Sequence, residues 1–370
     1  MWARYGTGWI SAGSNRLIMA GKGPVGRRFS VGDARRPQAP CRRAYPYNPA
    51  MTDTATPRLT PLRLAAGPAT LELLPALGGT ILRYDWHGVP VLRPTDGIPE
   101  QSRVTACYPL APYSNRIAGG RLAFGGQSWD IPRTADNHPL PIHGLTWQRP
   151  WTVTRHDATH ACMEQSYEVP DARTPDAPLP WPFPFHATQT FELDEDALRM
   201  TLALRNTGST EQPAGLGWHP YFPRTPQTRV RAQVSHMWVN DDQSLPQELL
   251  DTGGAVGDGL PAAQVDLDNV FNGFAGQASV AWPERGMAVD LEAEPPLGHL
   301  VIFTPPGKPH IAVEPVSNMT DAFNRYARDP APELIELAPG VRQDRATGTL
   351  LLAPGAQASA TLTLRPRRLR

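Results

Sequence analysis

Apolar and polar residues alternate in short runs along most of this chain. Ala69-Thr70-Leu71-Glu72-Leu73-Leu74 alternates, and Thr80 to Trp86 follows the pair Gly78-Gly79. His87-Gly88 then turns the chain into Val89-Pro90-Val91-Leu92. Arg121–Phe124 and Gln127–Ile131 flank Gly125-Gly126, the pattern of a hairpin with a two-residue turn. Ala187–Leu193 and Leu198–Leu204 predict a second hairpin through residues 194–197, with Leu198, Met200, Leu202 and Leu204 on one face. Near the end, Thr349–Leu352 is predicted to turn at Pro354-Gly355 into Ala358–Leu364. No long run keeps a helical period. Glu211 to Gly217 is too short and Gly-rich for a helix, and Pro170 to Pro184 reads as a loop. Short strands with frequent turns predict an all-β protein: one large antiparallel β-sandwich of two broad sheets spanning residues 59–366.

Composition narrows the function classes. The chain has 370 residues, enough to bury a large core. Lys plus Arg and Asp plus Glu are 35 each, so no global field argues for a nucleic-acid partner. No stretch approaches the ~18 apolar residues of a membrane span. Cys41, Cys107 and Cys162 make no CxxC pair, which argues against a disulfide framework or zinc knuckle and favours a reducing, cytoplasmic setting. No HxH or HExxH pattern and no phosphate-binding glycine loop occurs, so neither metal nor cofactor is expected. Residues 1–58 differ from the rest. The first fifty carry nine Lys/Arg and one acid, Asp33. That Arg-rich composition is expected to be disordered, as a transit segment, a nucleic-acid arm, or, more plainly, a start placed upstream of Met51.

The candidate chemistry lies in four places. They are Tyr108-Pro109-Leu110-Ala111-Pro112-Tyr113-Ser114-Asn115-Arg116-Ile117, Pro141-Ile142-His143-Gly144, Gly217-Trp218-His219-Pro220-Tyr221-Phe222 and Val313-Glu314-Pro315. A carboxylate, two imidazoles and a guanidinium are the groups needed for acid–base work on a neutral polyol. With Gly120-Arg121-Leu122-Ala123-Phe124-Gly125-Gly126, Trp151-Thr152-Val153, Leu267-Asp268-Asn269-Val270-Phe271 and Leu352-Ala353-Pro354-Gly355, these motifs, in this order, resemble the aldose 1-epimerase (galactose mutarotase-like) family over residues 59–366.

The residues themselves leave alternatives open. In a regular strand Ile311 and Val313 face one way, and His310, Ala312 and Glu314 the other. Pro315 is expected to end ladder pairing and hold Glu314 extended, as a base beside a cleft or as a surface carboxylate. Gly215, Gly217 and His219 share a face opposite Leu216 and Trp218. The two glycines either admit a ligand or permit close sheet packing. His143 sits on a turn, where a histidine is usually just solvated. Arg116 is a fork of donors suited to vicinal hydroxyls, or a surface ion pair. Asp266 and Asp268 would share a face, and the register between them is open.

The resemblance implies a role for each. Glu314 becomes the base that takes the C1 hydroxyl proton, and His219 the acid that protonates the ring oxygen. Arg116, His143, Asp268 and Asn115 bind the sugar, with Asn137 and His138 nearby and Trp218, Tyr221 and Tyr113 lining its apolar face. Unperturbed values near 4.3 and 6.5 predict an ionised Glu314 beside a protonated His219. The implied activity is an isomerase acting on a monosaccharide, as a monomer or homodimer, without cofactor. Rival readings are a hexose-6-phosphate 1-epimerase using Arg121, Arg224 and Arg325, a non-catalytic sugar-binding β-sandwich, and a glycosidase, which would need a second carboxylate.

Overall fold

In the computed structural model the described residues are 2–5, 8–11, 59–135, 138–170, 179–330 and 333–369. Two large antiparallel sheets dominate. The nine-stranded sheet runs Thr152–His156, His160–Tyr167, Phe185–Leu193, Leu198–Asn206, Gln357–Arg368, Met287–Ala293, Gln277–Trp282, Arg229–Ala232 and Leu260–Pro261. The eight-stranded sheet includes Pro246–Asp251, His236–Asn240, Asp268–Asn272, His299–Phe303, His310–Val316, Gly217–Trp218 and Pro109–Leu110, with Tyr221–Pro223 also paired to His310–Val316.

The period-two pattern decides what lies between them. Leu198, Met200, Leu202 and Leu204 are all buried in the main core, as are Ile311 and Val313 from the other sheet. Trp218 meets Phe191 across this core, and Phe222 meets Trp282, at ring separations of 5.9 and 6.5 Å. Alternate residues of the eight-stranded sheet turn the other way. Val270, Val301, Ala312, Val316 and Tyr221 join a second apolar cluster on that face. The site described below stands on it.

Several local expectations are met. Thr80–Trp86 and Ala69–Leu74 are paired strands. Arg121–Phe124 pairs with Gln127–Asp130 through Gly125 and Gly126, whose φ of 58° and 76° fit a turn that needs two left-handed residues. Two expectations fail. Leu350–Leu352 and Gln357–Arg368 are not a hairpin. The first pairs with Gln212–Ala214 and Val341–Asp344, the second enters the nine-stranded sheet, and Pro354-Gly355 carries the chain between sheets. Nor does Pro315 end the ladder. It faces Leu300, and the strand continues to Val316 opposite His299. On its other flank Tyr221 pairs with Ala312 and Gly217 with Val316, which leaves residues 313–315 without a ladder partner there. A proline, lacking an N–H, fits such a gap. Trp2–Tyr5 and Gly8–Ser11 form a short hairpin. The rest of the 1–58 segment expected to be disordered lies outside the described residues.

His299 is one of several histidines that give stability a pH dependence. His299 Nδ1 lies 3.0 Å from the Ser317 carbonyl oxygen, and burial pushes its pKa down to about 4. In the unfolded chain it titrates near ~6.5. Between those values the unfolded chain holds a proton that the folded one refuses. The contribution of His299 is therefore full above about pH 6.5 and is lost on acidification toward its folded value, by about 1.4 kcal/mol per pH unit. The melting temperature is expected to drop between pH 7 and 5, and His299→Gln to make that drop smaller, as thermal unfolding at each pH would measure.

Candidate active site

Glu314 projects from its strand beside Val301, on the face turned away from the main core. His219 approaches across the gap in the ladder, its backbone N–H donating to Tyr108 O at 3.0 Å. His219 Nε2 and Glu314 Oε1 are 3.2 Å apart, and both side chains are about 95% buried, with exposures of 5% and 4%. The glycines beside His219 serve packing. A Cβ on Gly215 would collide with the Asn318 side chain, and one on Gly217 with Val316.

The loop that carries Arg116 is fastened from below. Ser114 Oγ donates to Asn318 Oδ1 at 2.8 Å, and Asp321 N–H donates to Arg116 O at 2.9 Å. Arg116 Nη2 and Nη1 donate to the two oxygens of Asp268 at 2.7 and 3.4 Å, a forked pair. That resolves the register question in favour of Asp268 over Asp266. Asn115 Oδ1 accepts the Arg116 backbone N–H at 2.8 Å, so it braces the arginine. Arg116 Nε donates to His138 Nε2 at 3.0 Å, while His138 Nδ1 faces Leu140 O at 3.0 Å. Those two contacts fix His138 as the neutral tautomer protonated on Nδ1. Asn137 lies outside the described residues.

His143 is held in the left-handed region, at φ 68°, next to Gly144 at φ 71°. Gly144 forms a parallel bridge with Ala111, so close that a Cβ would strike the Ala111 carbonyl. His143 Nδ1 donates to Ser114 O at 2.7 Å, and burial lowers its pKa to about 3. A neutral imidazole with Nδ1 engaged presents Nε2 as an acceptor. His143 and His219 stand edge to face, 5.1 Å between centroids. The turn position thus does not leave His143 fully solvated; the fold half-buries it beside His219.

The aromatic lining differs from expectation. Tyr221 packs on His219 at 4.5 Å, as anticipated. Trp218 and Tyr113 do not line the site; both are buried in the main core. Tyr108, Trp147 and Arg93 surround it instead. Tyr108 stacks on His219 at 4.6 Å, Trp147 stacks on Tyr108 at 5.5 Å, and the Arg93 guanidinium lies 3.9 Å from the Tyr221 ring centre. Tyr108 opens the motif run, but no local signal distinguishes its ring from any other buried tyrosine. Cys107, close by, is a buried free thiol whose pKa burial raises, so it is no nucleophile. Among the described residues, no group of three or more His, Cys, Asp or Glu is placed to hold a metal ion, and no helix is long and apolar enough to cross a membrane.

The family model described as aldose 1-epimerase matches residues 66–347. The chain belongs to the aldose 1-epimerase family. The Escherichia coli protein YphB is 28% identical over 299 residues, which cover 78% of this chain and 92% of that protein. A candidate aldose 1-epimerase of known structure from Escherichia coli K12 superposes with a TM-score of 0.69 at 26% identity, covering 84% of this chain and 99% of that one. A galactose mutarotase-like protein from Clostridium acetobutylicum gives 0.68 at 20%, with 83% and 95% covered. The fold is the galactose mutarotase-like β-sandwich.

In this aldose 1-epimerase family member the charge state of the central pair departs from the expectation drawn from unperturbed values. Burial raises the Glu314 carboxyl well above the usual carboxylate range, Asp268 adds to the rise, and Arg116 opposes it. Burial also drives His219 well below the usual imidazole range, helped by His143 and Arg93. Both shifts favour the neutral pair, a protonated carboxyl facing Nε2, over the ion pair. The ion pair contains the same number of protons. It differs only in which side of the 3.2 Å contact holds one of them.

Proposed function

We propose that the protein is a mutarotase, an isomerase that interconverts the α- and β-anomers of a free aldose by opening and reclosing the ring. The observation that carries this reading is the buried contact between His219 Nε2 and Glu314 Oε1, flanked by Arg116, Asp268 and His143. Sugar hydroxyls entering the site would resolvate the pair and favour its ionised form. Glu314 then takes the proton from O1 while His219 Nε2 gives one to O5, and the C1–O5 bond breaks. The products of that step are an open-chain aldehyde, a protonated Glu314 and a neutral His219. This is the charge state that burial favours, so the enclosed site assists the ring-opening transfers. Rotation about C1–C2 presents the other aldehyde face, and the two residues exchange roles as the ring closes.

Arg116 and Asp268 would bind hydroxyls as donor and acceptor, and His143 Nε2 would accept one. Arg116→Ala is expected to weaken sugar binding by about 10- to 100-fold, the range for losing a hydrogen bond to a charged group, with titration calorimetry as the measurement.

The arginines considered for a phosphate are engaged elsewhere. Arg224 donates to Pro305 O at 2.5 Å and Val265 O at 3.2 Å, Arg325 donates to Pro246 O and covers Trp238, and Arg121 donates to Ser128 Oγ at 2.8 Å. This favours an unphosphorylated sugar. A glycosidase would need a second free carboxylate, and Asp268 is forked to Arg116. The test is polarimetry on freshly dissolved anomers of galactose, glucose, arabinose, xylose and glucose 6-phosphate. Acceleration for at least one free sugar is expected. Acceleration of glucose 6-phosphate alone would replace the free aldose with a sugar phosphate. Binding without acceleration would leave a sugar-binding module.

A further inference from the structure

We propose that Tyr108 is a positioning residue for His219, holding the imidazole plane through its ring face where a hydrogen bond to Nδ1 would ordinarily do so. The inference rests on the mutarotase reading for its kinetic consequence, but its geometric basis is independent of the reaction. A working acid–base histidine needs one nitrogen aimed at its partner, and the usual device is a carboxylate or carbonyl accepting from the other nitrogen. His143, His138 and His299 each have that device, in the carbonyls of Ser114, Leu140 and Ser317. His219 does not. Its Nδ1 is buried and has no hydrogen-bond partner on any other described residue. Among the described residues, the Glu314 contact at Nε2 is the polar contact that opposes a half-turn about the Cβ–Cγ bond, which would put Cε1 where Nε2 now points.

That single contact is given up during the reaction. Once Nε2 faces the ring oxygen and Glu314 holds the O1 proton, packing alone keeps the imidazole in plane. Tyr108 supplies the closest near-parallel face, with centroids 4.6 Å apart and planes inclined by 30°. Tyr221 and His143 add rings at 4.5 and 5.1 Å. Tyr108 is itself braced on every side. It is 2% exposed and stacked on Trp147, with the Tyr221 ring 6.2 Å away. Its carbonyl also accepts the His219 backbone N–H. One residue thus fixes both the backbone and the ring of His219, whereas Tyr221 reaches only the ring.

The experiment compares wild type, Tyr108→Phe and Tyr108→Leu, each labelled with 15N-histidine, with His219→Asn used to assign the His219 signals. In the sugar-free wild type, His219 is expected to show a single tautomer with Nε2 hydrogen-bonded. Tyr108→Phe keeps the face and is expected to keep that spectrum and a rate within about threefold of wild type, since it loses only the hydroxyl. Tyr108→Leu keeps apolar volume but loses the face. Its His219 signals are expected to average, and kcat to fall about 100-fold, the cost of an ångström-scale misplacement, while sugar affinity changes by less than about threefold. A folded Tyr108→Leu with a wild-type His219 spectrum would overturn the proposal. The spectrum is read without sugar, so it decides the matter even if no anomerase activity is found. Should Tyr108→Leu fail to fold, Tyr108→Met takes its place. In any case, a His219 ring that reorients freely in the wild type would also overturn it.

Discussion

Glu314→Gln is expected to lower anomerisation by about 10³-fold or more, near the upper part of the range for removing a general acid–base group. Gln has nearly the shape of Glu and can still hydrogen-bond His219 Nε2, but it can neither take the O1 proton nor return it. Its effect on stability should run the other way. The buried carboxyl is held well above its ordinary range, so ionising it above that range costs folding energy, and an uncharged amide has no such cost. The melting temperature near neutral pH should therefore equal or exceed that of wild type. Sugar affinity should persist, because Arg116, Asp268 and His143 are untouched. Polarimetric initial rates, calorimetric affinity and thermal unfolding together separate these effects. A stable Glu314→Gln that anomerises sugars at near wild-type rates would show that the base lies elsewhere.

Much of this architecture was legible in the chain. Period-two runs such as Leu198–Leu204 announce which face is buried, and Gly125-Gly126 announces a tight turn. What the pattern misses is partner choice. Leu350–Leu352 and Gln357–Arg368 look like a hairpin because Pro354-Gly355 separates them, yet each finds its partners in a different sheet. Pro315 looks like a strand end because it lacks an N–H, yet the flank it faces has no partner to miss. At the site, the family motifs pointed to Glu314, His219, His143, Arg116 and Asp268, and the fold brings them together. The charge state was not legible. Whether a carboxyl and an imidazole are ionised depends on how thoroughly water is excluded around them, and that is a property of the whole enclosure. The roles of Trp218 and Tyr108 were likewise hidden. Both are buried aromatics in or beside site motifs, and only the direction each ring takes from the backbone assigns one to the core and the other to His219.

His219→Asn is expected to impair anomerisation almost as severely as Glu314→Gln, and the double variant should lose little beyond the worse single one. The reason lies in the 3.2 Å contact. Ring opening requires a proton to leave O1 and another to reach O5, and neither transfer leaves a stable species without the other. An alkoxide at O1 without protonation of O5 recloses, and a protonated ring oxygen without a base at O1 cannot form the aldehyde. Removing either partner therefore removes the concerted step, and removing the second leaves little further to lose. Independent residues would behave differently, their free-energy costs summing so that the rate losses multiply. If each single variant lost about 10³-fold, additivity would predict about 10⁶-fold for the double, whereas a coupled pair should stay within roughly tenfold of the single variants. The assay must reach that far, so the spontaneous anomerisation rate of the chosen sugar has to be subtracted at each pH. A double variant that is measurably worse than either single by the full product would mean that Glu314 and His219 act on separate steps. The shared-proton description of the pair would then be wrong, although both residues would still contact the sugar.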